Sequence, residues 1–350
     1  MNFTAVACAL AAAALFGLST PAAKILIGVI DPWLLAGLFY LGSGIGLAIL
    51  QSVLWRHRPK AESPLTVRDL PWLAGAILFG GVIGPVLLLV GLARTDGATA
   101  SLLLTLEGVA TALIAWFAFR ENFDRRIAAG MGLIAAGAMV LAWQDDVALR
   151  DIPGPLAIVG ACIAWGLDNN LTRKVSLADP IQIAMVKGLV AGPVSLSLSL
   201  ALGSGAMLPA FQVAFVAGLV GFLGYGVSLA LFVVALRHLG TARTGAYFST
   251  APFIGAVAAL PMLDESLSMQ LAIAGLLMAA GVWLHLTERH EHEHEHDPIE
   301  HAHRHVHDAH HRHAHGADDP PGEPHSHRHA HVRLRHTHPH TPDAHHRHGH

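Results

Sequence analysis

The chain has 350 residues, 53% of them hydrophobic and 13% charged, with a formal net charge of −3 and a mean hydropathy of +0.48. Soluble domains carry about 25% charged residues, so these figures exclude an ordinary soluble globule, and the near-neutral balance leaves no footprint for a nucleic acid. The average joins two unlike regions: residues 1–289 hold His57, His238 and His285, and residues 290–350 hold the other 23 of the 26 histidines.

A helix needs about 20 apolar residues to cross the hydrocarbon core. Ten segments meet that requirement, at roughly 4–26, 33–55, 71–93, 98–119, 126–143, 155–174, 180–202, 211–235, 242–263 and 268–287. In lipid the backbone must bond to itself, so runs of this length read as helices. The first segment lacks the basic flank of a signal peptide and more spans follow it, so it is read as the first span. Pro and Gly mark the connections at Asp31-Pro32, Pro59, Pro71, Pro153-Gly154, Asp179-Pro180 and Pro209. Cys8 and Cys162 lie in apolar spans and read as small buried hydrophobes.

Lysine and arginine set the orientation. One set of alternate loops carries Arg56, Arg58, Lys60, Arg68, Arg120, Arg125, Arg126, Arg173, Lys174, Arg237 and Arg243; the other carries Lys24, Arg94 and Arg150. The positive-inside rule places the first set, and both termini, in the cytoplasm. The inner (plasma) membrane is the expected location.

Leu92–Val140 and Leu236–Leu284 align at a constant offset of 144 residues. Each runs from an apolar span through an acidic break (Arg120-Glu121-Asn122-Phe123, then Asp264-Glu265-Ser266-Leu267) into a Gly/Ala-rich span. Phe16-Gly17-Leu18 with Lys24 is likewise echoed by Trp165-Gly166-Leu167 with Arg173. The domains expected are a five-helix repeat over 1–143, a second over 155–287, and a tail over 290–350. Five is odd, so the second copy enters the bilayer from the opposite side, as alternating access requires.

With these features the chain resembles EamA-type members of the drug/metabolite transporter superfamily. Leu106-Glu107-Gly108 and Thr250-Ala251-Pro252 stand where that family carries a Leu-Glu-Pro-like element, the first copy keeping the acid and the second the proline. The acidic breaks stand where it carries a Gly-Glu-Arg-like turn. The resemblance covers about residues 5–287 and implies a carrier of small metabolites, often an exporter.

A charge at the centre of a membrane helix costs roughly 2.5–3.5 kcal/mol and therefore faces a cavity or a partner. Glu107 in span 4, Asp168 in span 6 and Lys187 in span 7 are the candidates. Asp168 and Lys187 read either as a structural pair or as part of the solute path, and Glu107 either as a packing residue or as a proton carrier. Trp165 and Asn169 share a helix face, and with Asn170 they offer an aromatic floor and amides suited to an organic solute. Tyr225 in span 8, and Tyr247 and Ser249 in span 9, complete the expected pathway. Gly80, Gly81, Gly84, Gly218, Gly221 and Gly224 read as sites of close helix approach, and Pro21, Pro85, Pro193 and Pro252 as kinks.

The tail alternates His290, His292, His294 and His296 with Glu, and later places His301, His303, His305 and His307 at the same period. With few apolar residues it is expected to be disordered. Imidazole ligates Zn, Ni, Co and Cu ions, so these histidines are the expected metal ligands, in loose and exchanging sites. The tail also titrates: with a His pKa near ~6.5, half-protonation there turns its −4 into roughly +7.

No H-E-x-x-H, G-x-S-x-G or P-loop is present, so no enzyme is expected. The sequence therefore describes an all-α integral membrane carrier of ten transmembrane helices in two inverted repeats. Its expected partners are a small organic solute, the lipid bilayer and divalent metals at the tail, with no required cofactor and a homodimer left open. The alternative is a divalent-metal exporter that uses the tail as an ion collector.

Overall fold

The computed structural model describes residues 3–55, 65–119, 125–142, 152–175, 178–201 and 209–287, together with four short segments of the tail. The acidic break at 120–124, most of the bend at 143–151, and His290 and His307 lie outside the described residues. From residue 3 to 287 the described body consists of helices and the turns between them.

Helix α1 covers Phe3–Ile27 and α2 Pro32–Trp55; Asp31 caps α2 by accepting the N–H groups of Trp33 and Leu34. Helix α3 covers Val67–Leu92 and contains a π segment at Ile77–Ile83. Helix α4 is split into Gly97–Leu103 and Leu106–Phe119. Helices α5 (Arg125–Ala142), α6 (Pro153–Val175) and α7 (Pro180–Ala201) follow. Helix α8 starts at Phe211–Gly221, passes a second π segment at Phe222–Val227 and continues as Ser228–Phe248. Helices α9 (Ala251–Leu263) and α10 (Met269–Leu286) complete the body.

Six helical stretches are long and apolar enough to span a bilayer, and Ala128–Leu141, Ala251–Leu263 and Met269–Leu284 are shorter apolar helices. Leu78, Phe117, Met139, Leu156, Phe215, Leu276 and Trp283 are exposed on the bundle surface. Apolar exposure on this scale marks a surface that lipid covers.

Two expected boundaries need correction. The connection placed between spans 8 and 9 falls within continuous helix, and the interruption comes later, at Ser249–Thr250. Leu236–Ser249 holds no proline, whereas Pro252 in the first turn of α9 has no N–H to return to Phe248. Span 4 read as one helix, yet it breaks at Leu104–Thr105, where Thr105 N–H bonds Leu102 O at 2.9 Å in the tighter i→i−3 pattern. No proline announces that break.

The packing is two-fold in pattern. Helix α2 lies on α7 and α5 on α10, while α1 packs on α8 and α9 as α6 packs on α3 and α4. Helix ends show the direction. Gln270 Nε2 donates to Val140 O at 2.6 Å, and Arg126 Nη1 donates to Thr287 O at 3.2 Å. Helices α5 and α10 are therefore antiparallel, and about 27 Å of helix separates the start of α5 from the Asp264–Ser268 turn.

That turn joins the two halves. Asp264 ends α9 in the left-handed conformation (φ 54°), which Asp tolerates better than most side chains. Glu265 can then reach α4, accepting the Gly97 and Ala98 N–H groups at 2.6 and 2.8 Å. Such a cap is worth about 0.5–2 kcal/mol. Glu265→Ala is expected to lower stability by that amount and to speed amide exchange at Gly97 and Ala98; hydrogen–deuterium exchange checks this, and unaltered exchange there would refute the cap. At the same end Lys24 Nζ donates to Leu92 O and Thr95 O at 2.6 and 2.8 Å, closing the C-terminus of α3.

The tail is not featureless where it is described. Glu291–His296 pairs antiparallel with Leu334–Pro339, and Glu300–His305 with His325–Ala330. Their strict period of two is that of a strand, which pairs its backbone without needing a hydrophobic core.

Candidate functional site

The site begins with a backbone carbonyl. In the π segment of α3 the Gly84 N–H bonds Phe79 O, and the residue five beyond Gly80 is Pro85, which has no N–H. The Gly80 carbonyl is thus left without that helical donor. Tyr40 Oη on α2 and Trp165 Nε1 on α6 donate to it instead, at 2.5 and 3.1 Å. A buried carbonyl of this kind needs such partners, and here they tie three helices together. Single π turns occur often at functional positions.

Trp165, Asp168, Asn169 and Thr172 share one face of α6 by helical spacing. A side chain at Gly80 would fall on the Asp168 carboxylate, so only glycine leaves room for it. Both carboxylate oxygens of Asp168 accept from Lys187 Nζ, at 2.6 and 2.7 Å. Thr172 Oγ1 donates to Asp168 at 2.8 Å and accepts from Lys187 at 3.3 Å. All three ammonium protons find acceptors, and the Lys187 side chain is only 2% exposed. The pair links α6 to α7 within the second half.

Asn169 reaches Glu107 across the halves. Asn169 Nδ2 donates to Glu107 Oε1 at 2.8 Å and to Thr111 Oγ1 at 3.2 Å. Asn170 donates to Thr111 O at 3.1 Å and Gly166 O at 2.8 Å. Glu107 stands in the first turn of the second piece of α4, directly after the break.

Aromatic rings wall this cluster. Tyr225 meets Phe16, Phe39 and Tyr40 at centroid distances of 5.9, 5.4 and 5.4 Å, and Phe16 meets Trp165 at 5.7 Å. Of the expected pathway residues, Glu107, Trp165, Asp168, Asn169, Asn170, Lys187 and Tyr225 belong to this linked set. Ser249 bonds Gly245 O of its own helix at 2.8 Å and lies beside Gly108. Tyr247 packs elsewhere, in a satellite cluster with Val6 and Cys8.

Tyr40, the Gly80 carbonyl, Thr111, Thr172, Phe16 and Phe39 were not anticipated. The Gly80–Pro85 run carried the one available signal, a proline placed to remove a donor, but it read as close packing and a kink.

A matching frame of α8, α1 and α9 repeats that of α3, α6 and α4 without the charges. Its π segment recurs at the same 144-residue offset, with Ser228 N–H on Leu223 O as Gly84 N–H is on Phe79 O. Gly224 faces Ser19 as Gly80 faces Asp168, and Ala251 occupies the position matching Glu107. Both fourth segments are broken, at Leu104–Thr105 and Ser249–Thr250. Among the described residues no group of three His, Cys, Asp or Glu could hold a metal ion.

An apolar-surfaced helical bundle with a buried polar seam between two matching halves defines a multi-pass membrane protein of the transporter class. The EamA-like transporter family matches residues 3–143 and again 152–287, and the chain belongs to it. It is similar to an uncharacterized transporter of Methanothermobacter thermautotrophicus, with 30% identity over 282 residues, covering 77% of this chain and 82% of that protein. A protein crystal structure is similar in fold, with a TM-score of 0.61 at 19% identity, covering 81% of this chain and 96% of the other.

Proposed function

We propose that the protein is a secondary carrier that exports a small organic solute across the plasma membrane by alternating access of two inverted five-helix repeats. The observation that carries this reading is the Asn169–Glu107 contact at the seam, beside the Asp168–Lys187 pair and under the Tyr225 aromatic wall. Ionisable groups held this deep mark solute or proton pathways more often than they serve packing. Aromatic walls with a few convergent polar groups suit an organic molecule.

In this reading Glu107 moves the coupling proton. The Asn169 amide orients the carboxyl, and the break in α4 places it where the two halves separate. Glu107→Gln at normal expression is expected to abolish proton-driven flux while leaving the helices folded; proteoliposome uptake under an imposed pH gradient measures this. Gradient-driven flux equal to wild type would refute the assignment.

The tail favours a second reading, a divalent-metal exporter that gathers its ion on the histidines. We place the tail outside the transport step, as a metal buffer or sensor on the cytoplasmic side. A deletion strain grown against panels of metabolites and metals, complemented with the full chain and with a 290–350 deletion, separates the two. Solute tolerance restored by both forms supports the organic carrier. Metal tolerance as the sole phenotype, lost with the tail, supports the exporter.

A further inference from the structure

We propose, resting on the alternating-access reading, that the Gly97–Thr105 stretch of α4 is the gate at one end of the seam and that Glu265 is the latch that holds it shut. When the gate opens, the hydroxyls of Thr95, Ser101 and Thr105 line the way out for a polar solute.

The two pieces of α4 differ in packing. Gly97, Ala98, Ala100, Ser101, Leu102 and Leu103 are all buried. A side chain at Gly97 would strike Leu263 Cδ1, and one at Gly255 would strike Ser101, so this piece is wedged against α9. Past the break, none of Leu106–Ala115 is buried. A stretch of that length points in every direction around a helix, and lipid accounts for one side only. The side that bears Glu107 is therefore accessible too. Among the described residues, a side chain at Gly108 would meet the Ser249 hydroxyl alone, at 3.6 Å, and one at Gly245 would meet nothing within 4 Å. The seam is shut where α4 starts and slack beyond its break. On the orientation expected from the loop charges, the shut end is the outer one.

Three elements converge on the shut end. Glu265 accepts the Gly97 and Ala98 N–H groups, Lys24 holds the Leu92 and Thr95 carbonyls, and Gly154 at the start of α6 leaves room for Thr95. The Glu265 bonds run from the second half to the first, and a carboxylate makes them charge-assisted. Separation of the halves at this end must break them.

The shut gate also carries a cost. Among the described residues, the buried hydroxyls of Thr95, Ser101 and Thr105 find no hydrogen-bond partner. An unpaired buried hydroxyl is unfavourable, so this segment gains when water reaches it. The latch offsets that gain. Loss of the carboxylate and loss of an orphan hydroxyl therefore act in opposite directions on the gate, which a merely structural role for either residue does not predict.

The test uses the full-length protein in lipid nanodiscs, with Cys8 and Cys162 replaced by Ala. Single cysteines are introduced as Ser101→Cys beneath the gate or Gly245→Cys at the slack end, and their rates of reaction with a water-soluble maleimide are measured. Adding Glu265→Ala is expected to speed labelling of Ser101→Cys about tenfold, the scale of a lost cap, and to slow labelling of Gly245→Cys. Adding Thr105→Val instead is expected to slow labelling of Ser101→Cys. Faster labelling at both positions, no change at either, or equal acceleration by Glu265→Ala and Thr105→Val overturns the latch. Amide exchange in the otherwise native chain is the second readout. Latch loss quickens exchange across Gly97–Thr105, whereas quickening confined to Gly97 and Ala98 marks a frayed cap and overturns the gate. The carrier reading is judged separately, by wild-type uptake under a pH gradient: flux present leaves a carrier gated elsewhere, and flux absent removes the reading itself.

Discussion

Asp168→Ala is expected to cost about 3–5 kcal/mol of stability, because it leaves the Lys187 ammonium buried without its counter-charge. Lys187 is buried: its side chain is 2% exposed, and its other acceptor is Thr172 on the same helix as Asp168. A double variant, Asp168→Ala with Lys187→Met, removes both charges and is expected to recover most of the loss, since a neutral pair of similar volume is often as stable as a buried ion pair. Thermal unfolding in detergent of the two single variants and the double variant measures the cycle. A double variant no better than either single one would refute a compensated pair. Solute flux gives a separate readout, because a purely structural pair predicts normal transport once stability returns.

Glycine contacts between α2 and α8 provide the second large effect. A Cβ on Gly42 would collide with the backbone of Gly218, and one on Gly221 with the backbone of Phe39. Backbone cannot yield as a flexible side chain does, so α2 and α8 must separate. Gly42→Ala and Gly221→Ala are each expected to cost about 1–3 kcal/mol by overpacking. Gly132 has nothing within 4 Å of its would-be Cβ. There Ala is expected to be neutral or to stabilise the helix by up to about 1 kcal/mol. Melting temperatures of the three variants check the contrast; a Gly42→Ala as neutral or stabilising as Gly132→Ala would show that helix propensity, and not close approach, governs these positions.

The seam holds two matching frames that differ in charge. The frame of α3, α4 and α6 contains Asp168 and Glu107, whereas the matching positions in the frame of α8, α9 and α1 are Ser19 and Ala251.

Much of the body was legible in advance because lipid imposes a simple rule. A backbone without water must bond to itself, so long apolar runs become helices. Rare intramembrane charges stand out against them: Glu107, Asp168 and Lys187 were identifiable for that reason alone. The pairing of Asp168 with Lys187 was among the expected readings and is present. The Asn169–Glu107 contact, which spans 62 residues, was not. Which of several neighbouring helices faces an acid depends on packing, and the amphipathic signal that would point inward is weak when lipid and core are equally apolar.

The polar frame around Gly80 shows the same division. Glycines and Pro85 were visible in the sequence, yet the π register that isolates the carbonyl is a property of the packed helix. Tyr40 carries no sign in its own sequence neighbourhood that its hydroxyl meets a carbonyl 40 residues away. Tyr247 shows the complementary limit: its place near the broken segment of the second half does not reveal that its side chain packs at the N-terminal end of α1.

The sequence by itself determined the helices, the repeated frame and the charged residues, because hydropathy and the cost of burying charge act locally and leave marks in the order of residues. Which helices touch, and where α4 breaks, were settled only in the packed molecule. Those outcomes depend on close backbone approach and on hydrogen bonds between distant segments, and no local pattern encodes them.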